Sequence, residues 1–367
     1  MVITFPQMGN ITLAAKSFFE DIGIPCVPPE NNKAALQAGA RVSPDEMCLP
    51  FKMMMGNYME AIRRGADTIL ITGSCGPCRF GEYCELQRDI LRRKGLRAEL
   101  IVVDAPKEIG TGELLKRLGR IGAASPVSTP RILLALRGEM RVLKAVDEMD
   151  GAACRIAGME RGRGSCARII MRCRREALRR TGTVKTLAAL KEGQRRLREL
   201  PMDPARQPLQ VALVGEIYSM IEPFANLYIE EKLMAYGVCS KRLITPDWWV
   251  RDLAFKPLKG AAPGQRAAKP YLPYAVGGHA RETLSHAERC ARRGFDGAIQ
   301  IFPTGCMPEI VAASVMPELS RRRDFPVLKL VMDEISGEAG VVTRIEAFLD
   351  MLEARRRKGR AALQPGN

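Results

Sequence analysis

Histidine is nearly absent from this chain of 367 residues, which has only His279 and His286. A Ser–His–Asp triad, or a zinc site built mainly on imidazole, has little to draw on. Aromatic residues make up 5% and do not interleave with the basic stretches. That argues against the stacking platforms of single-strand nucleic-acid binders. No apolar run approaches the roughly 20 residues that a membrane-spanning helix needs. Phosphate loops are missing too. No Gly-x-x-x-x-Gly-Lys-Ser/Thr occurs, Gly110-Thr111-Gly112 lacks the rest of one, and Gly162-x-Gly164 has no strand before it. The first residues, Met1-Val2-Ile3-Thr4-Phe5-Pro6, have neither the basic region nor the apolar stretch of a signal peptide. We therefore expect a cytoplasmic protein.

Cysteine, by contrast, is plentiful. Eleven cysteines in a cytoplasmic chain point to metal or redox chemistry rather than a disulfide framework. Three share one small setting, Cys-x-Pro, at Cys48, Cys75 and Cys306, each near the junction of a strand or loop with a helix. The richest stretch is Gly73-Ser74-Cys75-Gly76-Pro77-Cys78-Arg79-Phe80-Gly81-Glu82-Tyr83-Cys84. Thiolates are soft ligands for zinc and for iron–sulfur clusters. A neighbouring Pro restricts the loop, and a neighbouring Gly lets the backbone approach a bulky cluster. Two rivals stand beside the cluster. Structural zinc prefers paired Cys-x-x-Cys knuckles, and Cys75 with Cys78 is the single such pair. A thioredoxin-like dithiol fits Cys-Gly-Pro-Cys after a strand, but leaves Cys48, Cys84 and Cys306 unexplained. Cys154, Cys166 and Cys173 lie in helical sequence and read as core packing, as do Cys26, Cys239 and Cys290.

Strands and helices alternate in two stretches, which indicates α/β units with parallel sheets. We divide the chain into an N-terminal α/β unit (1–110), a basic helical connecting section (111–208) and a C-terminal α/β unit (209–367). In the first unit the expected strands are 2–5, 67–72 and 98–103. The expected helices are 10–22 with Asn10 as N-cap, 31–40, 50–64 and one ending at 94. In the last unit we expect strands over 211–214, 238–244, 297–302 and 327–331. The helices expected there are 223–236, 281–293, one from Cys306 to 323, and 339–355. Residues 248–273 read as irregular, and the tail from Arg356 as frayed. A weak repeat links the units: Arg63-Arg64-Gly65-Ala66-Asp67 precedes one apolar strand, and Arg292-Arg293-Gly294-Phe295-Asp296 another. Two related units facing each other bring Cys75 and Cys306 to one cleft, because ligands bind beyond the carboxyl ends of parallel strands. Charge is uneven. The chain carries a formal +16, and residues 131–200 hold 18 basic against 8 acidic residues, a net of +10. Such a face suits nucleic acid, an acidic protein or a phosphorylated substrate, or is simply solvated.

Five segments together resemble a known family. They are Glu46-Met47-Cys48-Leu49-Pro50-Phe51-Lys52, Gly73 to Gly81, Gly215-Glu216-Ile217-Tyr218, Pro303-Thr304-Gly305-Cys306-Met307-Pro308-Glu309 and Asp333-Glu334-Ile335-Ser336-Gly337-Glu338-Ala339-Gly340. The chain resembles the 2-hydroxyacyl-CoA dehydratase / benzoyl-CoA reductase iron–sulfur superfamily over about 1–110 and 209–355. The nearest branch is the acyl-CoA dehydratase activase-related proteins, which include double-cubane-cluster proteins. The resemblance implies two flavodoxin-like domains with a [4Fe-4S] or double-cubane cluster in their cleft. Its ligands would be Cys48, Cys75, Cys78 and Cys306, with Cys84 a further candidate. It implies an oxygen-sensitive protein that handles low-potential electrons for an ATP-driven reduction or radical dehydration. It also implies a separate ATP-hydrolysing activase of actin-like fold as electron donor, and a homo- or hetero-dimer. A non-catalytic electron carrier or assembly partner is the alternative, and a basic nucleic-acid or scaffold protein a more distant one. No CoA-binding signal is evident. Lys52 and Arg79 flank the implied ligands and could stabilise an anionic cluster or substrate, or be solvated. Glu216, after a strand, is a proton donor or an ordinary strand-end residue.

Overall fold

Short β-branched and apolar runs form the strands, and they assemble into two parallel sheets. The computed structural model describes residues 1–73, 78–103, 109–259 and 263–363, without the side chains of 253–264 and 359–363. The first sheet has β1 (Ile3–Thr4), β2 (Thr68–Thr72) and β3 (Glu99–Val103), in the order β1-β2-β3. Residues 24–27 extend it beyond β1. Ile3 N–H donates to Pro25 O at 2.9 Å, and Val27 N–H to Ile3 O at 2.8 Å. The second sheet has β4 (Gln210–Gly215), β5 (Cys239–Arg242), β6 (Gly297–Pro303) and β7 (Val327–Met332), in the order β5-β4-β6-β7. In each half the strand segments therefore run second, first, third, fourth. β6 is buried along its whole length, as expected of a parallel strand covered on both faces.

In the first half the helices are α1 (Asn10–Asp21), α2 (Lys33–Ala40), α3 (Leu49–Arg63) and α4 (Tyr83–Arg93). The connecting section holds α5 (Thr111–Ala124), α6 (Thr129–Ile156), α7 (Ser165–Leu178) and α8 (Gly182–Arg198). The second half holds α9 (Ile217–Ile221), α10 (Ile229–Ala235), α11 (Pro246–Lys259), α12 (Ala280–Arg292), α13 (Met307–Arg323) and α14 (Glu338–Leu363). One apolar core runs through both halves. Phe51, Met53, Met54, Met55 and Tyr58 of α3 join Ile69 and Ile71 of β2 with Tyr218, Met220, Ile299 and Ile301 of the second half. A second core packs α1 against α6, α7 and α8, and Cys154, Cys166 and Cys173 are buried in it. Cys239 and Cys290 are also buried. Among the described residues no helix is long and apolar enough to cross a membrane.

The repeat seen in the sequence has a structural counterpart. Asp67 Oδ1 accepts the N–H of Val2 at 2.8 Å, just before β1. Asp296 Oδ2 accepts the N–H of Gln210 at 2.7 Å, at the start of β4. Each aspartate thus fixes the register between the first and third strand segments of its own half.

Four expectations need correction. Gly9, not Asn10, caps α1; the Asn10 amide instead donates to Asp147 at 2.8 Å and Asp150 at 2.7 Å. The helix expected over 223–236 begins only at Ile229, because Leu227 (φ 55) and Tyr228 (φ 59) take left-handed backbone. Residues 248–273 are not irregular throughout: α11 covers Pro246–Lys259, and a 3-10 turn covers Pro263–Ala268. The final helix does not end at 355 but runs to Leu363. Arg356 is held there by Asp296 at 2.6 Å, which anchors the turn the sequence left loose.

Candidate metal centre

Three of the singled-out cysteines occupy the same local position, the N-cap of a helical turn. Cys48 caps α3 with Pro50 in the first turn, and Cys306 caps α13 with Pro308 in its first turn. Cys78 caps a 3-10 turn over Arg79–Glu82. All three have extended backbone (φ −68, −72 and −76). Pro at the start of a helix costs nothing, because the first N–H groups have no intrahelical partner. The cap position sets each thiol at the positive, N-terminal end of its turn, although none makes a side-chain capping hydrogen bond. The N–H groups of Phe51, Phe80 and Glu309 do favour the thiolates of Cys48, Cys78 and Cys306, respectively.

The three loops meet where two sheets present their carboxyl ends. In each sheet the chain leaves two adjacent strands in opposite directions, which opens a crevice there. Cys78 follows β2, Glu216 follows β4 and Cys306 follows β6. Gly215 lets β4 reach this point: its φ is 144, and a Cβ there would lie 1.9 Å from Ile301 O of β6. Glu216 interacts electrostatically with Cys48, Cys78 and Cys306, and Cys78 with both other thiols. Arg79 ties the loops together. Its guanidinium donates to Glu46 O at 2.6 Å and to Gly305 O at 3.3 Å, so it spans the backbone before Cys48 and before Cys306.

Burial dominates the chemistry of these groups. It pushes the Cys48 thiol up to about 11, against the opposing effect of the Tyr83 hydroxyl in contact with its sulfur. Cys78 and Cys306 are also raised, first by burial and then by the nearby Glu216 charge, with the facing N–H groups opposing. Unliganded, these thiols are protonated at neutral pH, so a metal must displace protons to bind. Glu216 caps α9, accepting from Tyr218 N–H at 2.8 Å, Ser219 N–H at 2.9 Å and Ser219 Oγ–H at 3.0 Å. Burial still raises its proton affinity above that of an ordinary carboxyl.

The other sequence candidates fall around this centre. Lys52 is 4% exposed, and its ammonium donates to Asp45 O at 3.1 Å and pairs with Glu334 at 2.5 Å. It therefore bridges the two halves from a buried ammonium to an exposed carboxylate. Cys84 lies in the first turn of α4, half-buried against the core beside Tyr58. Cys75 lies outside the described residues. Among the described residues, no three His, Cys, Asp or Glu side chains close on a single ion. His279 caps α12 and His286 lies inside it, both edge-on to Trp248 at 6.0 and 6.4 Å.

Two residues of the site carry no motif of their own. Tyr83 is packed edge-on between Phe51 and Phe80 at 5.0 and 5.1 Å, which fixes its hydroxyl on Cys48. Its place at the end of the cysteine-rich stretch was the only signal. Glu309, in the first turn of α13, is 1% exposed. It accepts from Thr283 Oγ–H at 2.7 Å and Gln300 Nε2–H at 2.9 Å, and burial pushes it up to about 7. An acid directly after Cys-x-Pro was its sequence signal. No protein-family model and no curated protein matches this chain.

Proposed function

We propose that this chain is an iron–sulfur protein of the 2-hydroxyacyl-CoA dehydratase / benzoyl-CoA reductase type. In this reading two flavodoxin-like halves hold a [4Fe-4S] or double-cubane cluster at their cleft. The observation that carries it is the convergence of Cys48, Cys78 and Cys306, three helix-capping thiols from both halves, on the crevice that Glu216 faces. The donor set fits such a group. It is thiol-only, its sulfurs are spread over three loops, and each lies at the N-terminal end of a helical turn. Thiolate ligation with N–H groups near the sulfurs is how clusters are held and their potentials tuned. The order second, first, third, fourth in each half supports a flavodoxin-like reading, whose strand order starts in the same way.

Cys48, Cys78 and Cys306 would hold the cluster, with Cys75 added by the sequence resemblance. The cluster, when bound, stores and passes single electrons at low potential. This chain's own residues do the rest. Arg79 closes the Cys48 and Cys306 loops over the centre and keeps a positive charge at its mouth. Glu216 presents a carboxyl of raised proton affinity to the thiols. The Lys52–Glu334 pair fixes the Cys48 loop to the second half. The electron donor we propose is a separate ATP-hydrolysing activase, and the chemistry served is a reduction or radical dehydration.

Anaerobic purification followed by iron and acid-labile sulfide quantitation tests the reading. The expected result is a brown protein with several irons per chain and matching sulfide. A colourless protein holding zinc alone overturns it.

A further inference from the structure

The connecting section carries a surface that the thiol centre does not use. α7 turns Cys166, Ile170, Cys173 and Ala177 into the helical core. Arg174 also faces inward, pairing with Asp150 at 2.5 Å and Glu231 at 3.3 Å. The opposite face carries Arg168, Arg172, Arg175 and Arg179, all exposed. Their spacing of i, i+4, i+7, i+11 places them within a sector of about 60° and along about 17 Å of helix. With Met171 and Glu176 they border an open space of about 510 Å³ between side chains along this one helix.

α4, α8 and α13 pair arginines locally, whereas the exposed Arg131, Arg137 and Arg141 of α6 form no ion pair among the described residues. On α4, Arg88 pairs with Glu85 at 2.6 Å, and Arg92 and Arg93 with Asp89 at 2.8 and 2.7 Å. On α8, Arg195 and Arg196 pair with Glu192 at 2.7 and 2.8 Å. On α13, Arg321 and Arg322 pair with Glu318 at 2.8 and 2.5 Å. The α7 stripe departs from the pattern of α4, α8 and α13. Its one acid, Glu176, is taken by Arg180 at 3.4 Å, and Arg168 donates to Ser165 Oγ at 2.8 Å. Among the described residues Arg172, Arg175 and Arg179 form no ion pair. Like charges at this spacing destabilise a helix, although Arg175 and Arg179, at its C-terminal end, are favoured there by the helix dipole. Beside it lie Met171 and Leu178, 52% and 46% exposed and seven residues apart, which places them along one flank.

We infer that this face of α7 is a docking surface for an acidic amphipathic helix of a partner protein. A carboxylate row at the same helical spacing matches the four guanidiniums, and an apolar row beside it covers Met171 and Leu178. A phosphate backbone would satisfy the arginines but leave the apolar flank exposed. α7 also carries no aromatic residue on which a base could stack. The inference does not rest on the metal-centre reading, because no residue of the stripe belongs to that centre.

The test is fluorescence anisotropy with the full chain and a labelled synthetic helix carrying Glu at i, i+4, i+7, i+11 and Leu along one flank. A permuted peptide of identical composition, a DNA duplex, a single-stranded RNA and phosphatidylglycerol vesicles are run beside it. The patterned helix is expected to bind roughly tenfold tighter than the permuted one, with affinity falling as salt shortens the screening length. Arg172→Glu/Arg175→Glu/Arg179→Glu should abolish binding, and Leu178→Ser should weaken it about fivefold by removing covered apolar surface. Arg172→Gln/Arg175→Gln/Arg179→Gln, checked for unchanged helicity, decides the matter if the reversed variant does not fold. Three outcomes each overturn the proposal: no binding of the patterned helix, equal binding of the permuted one, or tighter binding of DNA, RNA or vesicles that ignores Leu178→Ser.

Discussion

A thiol at a helix cap reads the same in sequence whether it binds metal or only satisfies a turn. Cys48 and Cys306 stood out because Pro two residues later marks the first turn, and that local rule held for both. Cys84, inside the same rich stretch, has no such context and packs half-buried against the core beside Tyr58. The two groups are separable by experiment. Cys48→Ser and Cys306→Ser should each lose most of the bound iron of anaerobically prepared protein, while Cys84→Ser should retain it. Iron loss in Cys84→Ser equal to that in Cys48→Ser would move Cys84 into the centre. Burial is what composition could not supply. His286 reads as one of two unremarkable histidines, yet it is 5% exposed, and burial pulls its imidazole down to about 3, helped by Arg289 and His279. The folded state therefore refuses a proton that the unfolded chain accepts near pH 6.5. Its contribution to stability is intact above pH 6.5 and falls as the pH drops towards 3, by up to about 1.4 kcal/mol per pH unit. Urea midpoints from pH 7 to pH 4 should show a shallower acid loss in His286→Phe than in the native chain. Equal slopes would mean that the site opens to water.

Elements were legible where an end signal and an apolar pattern agreed. α3 shows both, with Pro50 at its start, Gly65 beyond its end and three consecutive methionines buried inside. The helix expected from residue 223 failed because Leu227 and Tyr228 take left-handed backbone, in a turn where Tyr228 N–H donates to Pro223 O and Asn226 accepts from Ile229 N–H. Pro223 and the apolar spacing alone favour an early start. The Asp67 and Asp296 units lie between these cases. Their shared Arg-Arg-Gly-x-Asp pattern was visible, but the bond each aspartate makes to a strand more than sixty residues away was not. Asp296 also holds Arg356 of α14 at 2.6 Å, so it joins three elements at once. Asp296→Ala should cost about 2 kcal/mol, the scale of a lost charge-assisted hydrogen bond. Arg356→Ala should cost about half that, because it leaves the strand bond intact. Chemical denaturation of the two variants checks the order; a larger loss in Arg356→Ala would place the weight on α14 instead.

At the scale of the whole molecule, the sequence divides into parts more cleanly than the structure does. Composition separates two α/β units from a basic helical section, yet shared apolar cores and polar contacts across long sequence distances link them. Lys52 reaches Glu334, Arg79 reaches Gly305, and Asn10 reaches Asp147 and Asp150. No periodicity encodes such pairs. The tightest of these junctions is at Gly9, whose N–H donates to Glu222 Oε2 at 2.7 Å. Gly9 has a φ of 55, and a Cβ there would stand 2.0 Å from Ile221 O. A side chain at this point must both adopt left-handed backbone and push a carbonyl of the second half away. Gly65 provides the control, since its φ is 98 and nothing lies within 4 Å of its built Cβ. Gly65→Ala should therefore cost only the backbone strain, about 1 kcal/mol. Gly9→Ala should cost about 3 kcal/mol or more, because strain and overpacking add. It should also expose the Cys48 loop and the second half to protease at concentrations that the native chain resists. If the two variants unfold at midpoints that differ by less than about 0.5 kcal/mol, the halves are not held rigidly at this junction. The crevice facing Glu216 would then be set by the shared apolar core together with Arg79 and Lys52.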